Sequence, residues 1–180
     1  MERRGQISKI RSRFIEISNL MIVSDPKELC YIDYIGKCRV LCLDYGDKRV
    51  GVAISDINWR IASPLKVLES HGVYSDLFKL ISEYSIGIVV VGAPKALNGG
   101  DSGKQFEKVK KFVEKLDELS NSKSLDIKII YWDERLSSVA ANRFLNESEM
   151  SISRKKKNID KVAASFILQG FLDYIEYTHT

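Results

Sequence analysis

The 180-residue sequence has few cysteines and histidines, and their positions argue against a domain held together by disulfide bonds or by zinc. The cysteines, Cys30, Cys38 and Cys42, are odd in number, and neither His71 nor His179 lies near them. A disulfide framework or a zinc site is therefore not expected. Cys42 stands between two leucines and is interpreted as a small buried hydrophobic residue. Free thiols of this kind fit the reducing conditions of the cytoplasm.

The sequence also lacks an apolar run long enough to cross a membrane. In the basic N-terminal segment 1–20, Glu16 and Asn19 interrupt the apolar residues, and no small-residue cleavage site follows. We therefore expect neither a signal peptide nor a membrane partner. Two interpretations of residues 1–20 stay open: an amphipathic helix that docks on the domain, or a stretch upstream of a natural start at Met21.

Composition predicts one domain with a substantial hydrophobic core. Hydrophobic residues make up 44% of the chain, and its length is too short for two large domains. We divide it into an N-terminal extension at 1–37, a domain at 38–175 and a tail at 176–180. The net charge of +4 is a mild excess that permits an anionic partner without requiring one.

The domain is predicted to begin with three strands. The apolar segments 39–44 and 49–55 flank YGDK, which has the composition of a tight turn, so together they predict a β-hairpin. Residues 59–68 predict a third strand, with Pro64 at an edge or an end.

Beyond the third strand the period of the apolar residues changes. The remaining predicted elements are a helix at 74–84, a buried strand at 86–91, helices at about 105–119 and 137–146, a strand at 127–132 and a last helix at 159–174. A basic loop, SISRKKKN, is expected before the last helix. This order predicts a mixed five-stranded sheet flanked by helices, an α/β layout typical of ribonuclease H-like folds.

An aspartate begins the apolar stripe of the last predicted helix. Counted from Asp160, the stripe contains Ala163, Ala164, Ile167, Leu168 and Phe171. A charge in line with a core-facing stripe indicates a functional carboxylate. The alternative is an acid in the first turn that complements the helix dipole.

Further acids follow two predicted strands. Asp44 ends the first strand, and Asp133 and Glu134 follow the fifth; the alternative roles are an Asx-turn acceptor and a helix N-cap. Ligand sites in open α/β sheets gather beyond the carboxyl ends of strands, where all three acids fall. Clustered carboxylates usually bind a cation, and oxygen ligands favour Mg²⁺ or Mn²⁺. Two such ions about 4 Å apart can support phosphodiester hydrolysis.

Basic residues accompany these acids and indicate a nucleic-acid partner. They are Lys48, Arg49, Arg135, Arg154, Lys155, Lys156 and Lys157. The alternative for the last four is a solvated flexible loop. The glycine-rich loop 98–104 would allow the backbone to approach phosphate, and its alternative is an ordinary flexible connection.

Four motifs in register resemble the YqgF nucleases, a RuvC-related family with a ribonuclease H-like fold. They are LCLDYGDKRVGVAISD (41–56), VVVGAPKALNGGDSG (89–103), DERLSSVAA (133–141) and RKKKNIDKVAASFILQGFLD (154–173). The match covers about residues 39–173. The fourth strand ends in Gly-Ala-Pro without the acid that RuvC-type enzymes carry there, so the second metal ligand is either Glu134 or Asp133.

The resemblance implies a metal-dependent nuclease that processes the 5′ end of pre-16S rRNA. It further implies that Asp44, Glu134 and Asp160 bind Mg²⁺ or Mn²⁺ and are catalytic, with structured RNA as the favoured substrate and a monomer or homodimer as the active form. Two alternatives stay open: a dimeric resolvase of four-way DNA junctions, and an RNA-binding assembly factor without activity.

Overall fold

The computed structural model describes residues 34–93, 101–133 and 152–179. Within these ranges it contains eight helices and strands. They are β1 (Arg39–Tyr45), β2 (Arg49–Ser55), β3 (Ala62–Glu69), α1 (Val73–Glu83), β4 (Ile86–Ala93), α2 (Asp101–Ser122), β5 (Lys128–Asp133) and α3 (Ile152–His179). The extension at 1–37 falls mostly outside the described residues, as does the helix predicted at 137–146.

The five strands form one mixed sheet in the order β3-β2-β1-β4-β5. β1 pairs antiparallel with β2, and β2 pairs antiparallel with β3. β4 then pairs parallel with β1, and β5 pairs parallel with β4. The predicted meander followed by parallel crossovers is confirmed, and the fold is the ribonuclease H-like α/β arrangement. Pro64 lies on β3 at an edge of the sheet, where a residue without an N–H is tolerated.

Each face of the sheet is covered by its own helical layer. On one face, Leu41 and Leu43 of β1 belong to a buried cluster with side chains of α1 and α2. On the other face, Val40 and Cys42 belong to a cluster with α3. This separation follows from the two-residue period of a strand, and it assigns every position of β1 to a layer. Cys42 is fully buried, as predicted.

The last helix begins earlier than predicted. α3 starts at Ile152, so residues 154–157 lie in its first two turns and the predicted basic loop is wrong. Lysine and arginine are good helix formers, and a run of them does not end a helix as proline or glycine would. α3 also continues to His179 and so includes residues predicted as a tail.

Candidate active site

Asp44 lies one residue before the end of β1, within the ladder rather than in the turn that follows. It is half-buried and is paired with Gly51 of β2. The alternation that directs Val40 and Cys42 towards α3 assigns Asp44 to the same face of the sheet. Asp44 therefore places a carboxylate near the carboxyl end of β1, on the face of the sheet that α3 covers. Asp160 belongs to the same helix.

A depression of about 290 Å³ adjoins this carboxylate. It is lined by Asp44, Gly46, Lys48 and Arg49. The structure thus brings two of the predicted basic residues to the predicted acid. A phosphate group near Asp44 would meet positive charge on the same hairpin.

The turn between β1 and β2 is fixed by backbone and hydroxyl groups. Gly46 N–H donates to Arg49 O at 2.9 Å. Ser70, which follows β3, donates from Oγ to Gly46 O at 2.9 Å and from its N–H to Lys48 O at 3.0 Å. A Cβ atom at Gly46 would lie only 2.9 Å from Arg49 O, so the tight turn depends on glycine.

Helix α2 supports the hairpin from the opposite face of the sheet. Gln105 Nε2 donates to Tyr45 O at 3.1 Å, and Lys108 Nζ lies 2.7 Å from Asp47 Oδ2. The Tyr45 ring packs against Phe112 with centroids 4.6 Å apart. The residue after Asp44 is therefore anchored to α2, which limits movement of the carboxylate.

β5 is parallel to β4, so its carboxyl end lies on the same side of the sheet as that of β1. It ends at Asp133, which pairs with Ala93 at the end of β4. Ile129 belongs to the buried cluster of α1 and α2, whereas Ile130 belongs to that of α3. Successive positions of a strand alternate between the two faces of the sheet, so position 133 is on the face of Ile129 and not on the face of Asp44. Glu134 and Arg135 lie outside the described residues, so their predicted roles stay predictions.

α3 places position 160 more than two turns after its start at Ile152. The alternative of an acid in the first turn is therefore wrong. Ala164, Ile167 and Leu168 are buried against the sheet, which confirms the predicted stripe, and Asp160 precedes Ala164 by one turn. The basic residues Arg154, Lys155, Lys156 and Lys157 precede it on the same helix.

The chemistry of Asp44 fits a hard divalent cation, since a half-buried carboxylate supplies the oxygen ligand that Mg²⁺ and Mn²⁺ prefer. Of the three predicted ligands, it is the one whose side chain the structure describes. Among the described residues no three His, Cys, Asp or Glu side chains come together. The joining of Asp44 with Glu134 and Asp160 therefore stays a prediction.

Some chemically informative groups were not foreseen. On the face of α1 and α2, burial first, and then the negative charge of Glu114, raises the pKa of Tyr131 to about 12. Lys108 of α2 also contacts the hairpin, at Asp47, although no lysine of α2 was predicted to bind nucleic acid. The regular helical spacing of these lysines is the signal in the sequence.

Within the described ranges, no helix has the length and apolarity to cross a membrane.

Proteins of known sequence include close relatives of this chain. A protein of Desulforamulus reducens named "Putative pre-16S rRNA nuclease" is 45% identical over 139 residues, covering 75% of this chain and 96% of the relative. One of the same name from Caldanaerobacter subterraneus subsp. tengcongensis is 46% identical over 139 residues, with the same coverage.

Solved structures with a similar fold are more distant in sequence. The yeast mitochondrial Holliday junction resolvase Ydc2 is 13% identical with a TM-score of 0.48, covering 79% of this chain and 81% of that one. Thermus thermophilus RuvC in complex with a Holliday junction substrate is 9% identical with a TM-score of 0.47, covering 77% and 96%. A family model described as "RuvX: Holliday junction resolvase" matches residues 38–174. Because this match and the relatives span most of the chain, the protein belongs to the RuvX (YqgF) family.

Proposed function

We propose that this protein is a metal-dependent nuclease that hydrolyses phosphodiester bonds in the 5′ leader of pre-16S rRNA, in the cytoplasm. The observation that carries the proposal is the similarity, at 45% identity over 139 residues, to a relative named as a nuclease of that RNA. The position of Asp44 at the carboxyl end of the central strand, beside Lys48 and Arg49, supports it independently.

The proposed metal ligands are Asp44, Glu134 and Asp160. We assign the second ligand to Glu134 rather than Asp133, because strand alternation puts position 133 on the same face of the sheet as Ile129, opposite the face of Asp44. Asp160 precedes the buried Ala164 by one turn, in line with the stripe that packs on the sheet.

The chain's own residues bind and orient the substrate around this site. Lys48 and Arg49 line the depression beside Asp44 and would hold the phosphates that flank the scissile bond. Arg135 and residues 154–157 would extend this grip on the α3 side. A bound Mg²⁺ or Mn²⁺ would activate water and stabilise the leaving oxygen.

The test is cleavage of end-labelled pre-16S rRNA leader by wild type and by Asp44→Asn, with Mg²⁺, with Mn²⁺ and with chelator. We expect metal-dependent cutting that Asp44→Asn abolishes. The matched control is Asp126→Asn, which removes an exposed carboxylate paired with Lys128 at the start of β5. Equal activity of wild type and Asp44→Asn would remove Asp44 from the mechanism, and inactivity of both would favour an RNA-binding factor.

A second candidate function is supported by the description of the matching family, Holliday junction resolvase. Such an enzyme must cut two strands symmetrically, so a homodimer is expected. A four-way DNA junction included in the same assay, with gel filtration, separates the two. Junction cutting by a dimer without RNA cutting would favour the resolvase.

A further inference from the structure

A groove of about 740 Å³ runs between α1 and α2, on the face of the sheet opposite α3. Its walls combine aromatic, aliphatic and cationic side chains with two serines and one acid, Glu83. They include Tyr74, Phe78 and Lys79 from α1, with Leu119 of α2 and Lys123 just after its end. The groove has no role in the proposed metal site.

Four exposed lysines of α2 form a single row that leads into this groove. They are Lys104, Lys108, Lys111 and Lys115, spaced by four, three and four residues. This spacing puts them on one flank of the helix, beside the buried side that includes Val109 and Phe112.

The row continues into the wall of the groove. Leu119 follows Lys115 by four residues, and Lys123 follows Leu119 by four, so both share its flank. Leu119 and Lys123 line the groove. The row is therefore part of the α2 side of the groove rather than a separate surface.

The other end of the row reaches the hairpin of the candidate active site. Lys108 contacts Asp47, two residues before the first residue of β2 and three after Asp44. From Lys104 to Lys115 the row measures about 16 Å, at about 1.5 Å per residue of helix. A strand that leaves the site on this side would meet one positive charge per helical turn.

The aromatic residues of the groove are held in place by their neighbours. Tyr74 stacks on Phe112 with centroids 5.4 Å apart, and its hydroxyl donates to Phe112 O at 3.4 Å. Lys123 Nζ lies 5.4 Å from the centroid of the Phe78 ring. Fixed rings beside a row of cations are the combination that binds single-stranded nucleic acid, by base stacking and phosphate contacts.

Two lysines of the row form ion pairs at the protein surface. Lys115 pairs with Glu118 at 2.8 Å, and Lys108 pairs with Asp47 at 2.7 Å. The side chains in both pairs are about half exposed or more, and such surface ion pairs contribute little stability. Phosphates can therefore replace these carboxylates at small cost.

We propose that the α2 lysine row and the adjoining groove bind a single-stranded segment of the substrate. The phosphates lie along the row, and the bases lie against the aromatic side of the groove. The charge of the row fits a polyanion rather than an apolar peptide. This inference rests on the proposed function for the identity of the ligand, but it concerns binding and not cleavage.

The test measures binding in the Asp44→Asn background, without metal, so that cleavage plays no part. Fluorescence anisotropy over a range of salt concentrations compares a blunt RNA hairpin with the same hairpin carrying a single-stranded tail. The row variant is Lys108→Gln/Lys111→Gln/Lys115→Gln. The control, Lys37→Gln/Lys66→Gln/Lys110→Gln, changes net charge equally at exposed positions off the row.

We expect the row variant to lose at least tenfold in affinity for the tailed hairpin and to lower the salt slope by about 2, at roughly 0.7 per lysine for a single strand. The control should change affinity less than twofold. Phe78→Leu, which keeps an apolar side chain, should weaken tail binding about fivefold without changing the slope. Asp47→Asn should strengthen it, since a competing carboxylate is removed.

Equal losses in the row variant and the control would overturn the proposal, as would equal losses for blunt and tailed hairpins. Circular dichroism of each variant checks that it is folded. Failure of wild type to cut RNA would refute the proposed function but would leave these binding results unchanged, so the two failures are distinguishable.

Discussion

Asp44 stands directly opposite Gly51 across the β1–β2 ladder. Opposite residues of an antiparallel pair share a face of the sheet, with Cβ atoms about 5 Å apart. At this position the partner has no side chain, although it is buried. The proposed metal ligand therefore has backbone rather than a side chain opposite it on β2.

Adding a methyl group opposite Asp44 should impair the site. We expect Gly51→Ala to reduce metal-dependent RNA cleavage at least tenfold, because the new Cβ would lie about 5 Å from that of Asp44. Single-turnover cleavage rates and thermal melting measure the effect. Gly170→Ala is the control: its Cβ would meet only Trp132 Nε1, at an ordinary 3.8 Å, and alanine in the middle of a helix should raise stability by about 0.5–1 kcal/mol. Unchanged cleavage by Gly51→Ala would show that the space beside Asp44 is not needed.

The acid that ends β5 and the acid that follows it in the sequence should differ sharply in their effect on activity. Position 133 is on the same face of the sheet as Ile129, the face covered by α1 and α2. Asp133→Asn should therefore keep at least a third of wild-type activity. Glu134→Gln should lower it by about a hundredfold or more, because a metal ligand would be lost. The measurement is cleavage rate against Mg²⁺ concentration for both variants. The reverse order of effects would assign the ligand to Asp133.

Much of the fold follows from the sequence because local patterns and burial agree. The bounds of the β-hairpin agree with the prediction within one residue at each end, since two apolar segments flank a glycine-containing turn. The run at 86–91 was recognised as a strand buried on both faces, and β4 extends it to Ala93. The continuous apolar run agrees with the position of β4 inside the sheet, between β1 and β5.

The start of α3 was mispredicted because a charged run resembles a solvated loop. The arginine and lysines at 154–157 also favour a helix. Whether they form a loop or join α3 depends on how the rest of α3 packs on the sheet. The lysines of α2 were overlooked for a related reason. Their spacing is visible in the sequence, but the contact of Lys108 with Asp47 arises only when α2 folds back along the sheet. Tertiary contacts of this kind have no local signature.

A buried serine hydroxyl joins the start of β1 to the end of β2. Ser55 Oγ accepts a hydrogen bond from Val40 N–H at 2.9 Å and donates to Asp56 O at 2.8 Å. Ser55→Ala leaves the buried Val40 N–H unsatisfied, so we expect the free energy of unfolding to fall by about 1–3 kcal/mol. Urea denaturation measures it. Ser122→Ala, which removes an exposed hydroxyl bonded to Leu119 O, should cost less than about 0.5 kcal/mol. Equal costs would contradict the role assigned to Ser55.

The loop from β2 to β3 is organised by one carboxylate and should make stability depend on pH. Asp56 accepts hydrogen bonds from the N–H groups of Asn58 at 3.1 Å, Arg60 at 2.6 Å and Ile61 at 2.8 Å. Burial alone would raise the pKa of Asp56, but these donors outweigh it and the pKa is lowered. The folded state therefore binds the proton less readily than the unfolded state, whose aspartate pKa is about 3.9.

A lowered pKa stabilises the fold above the unfolded value, and this stabilisation is lost as pH falls through the folded value. Asp56→Asn lacks the titrating group, so the difference in unfolding free energy between wild type and variant should be about 1 kcal/mol at pH 6 and should shrink below pH 4. Urea denaturation at several pH values measures this difference. Asn58→Ala keeps the backbone donors and should retain the pH dependence of wild type. A wild-type advantage over Asp56→Asn that stays constant down to pH 2 would show that the Asp56 carboxylate does not stabilise the fold through its charge.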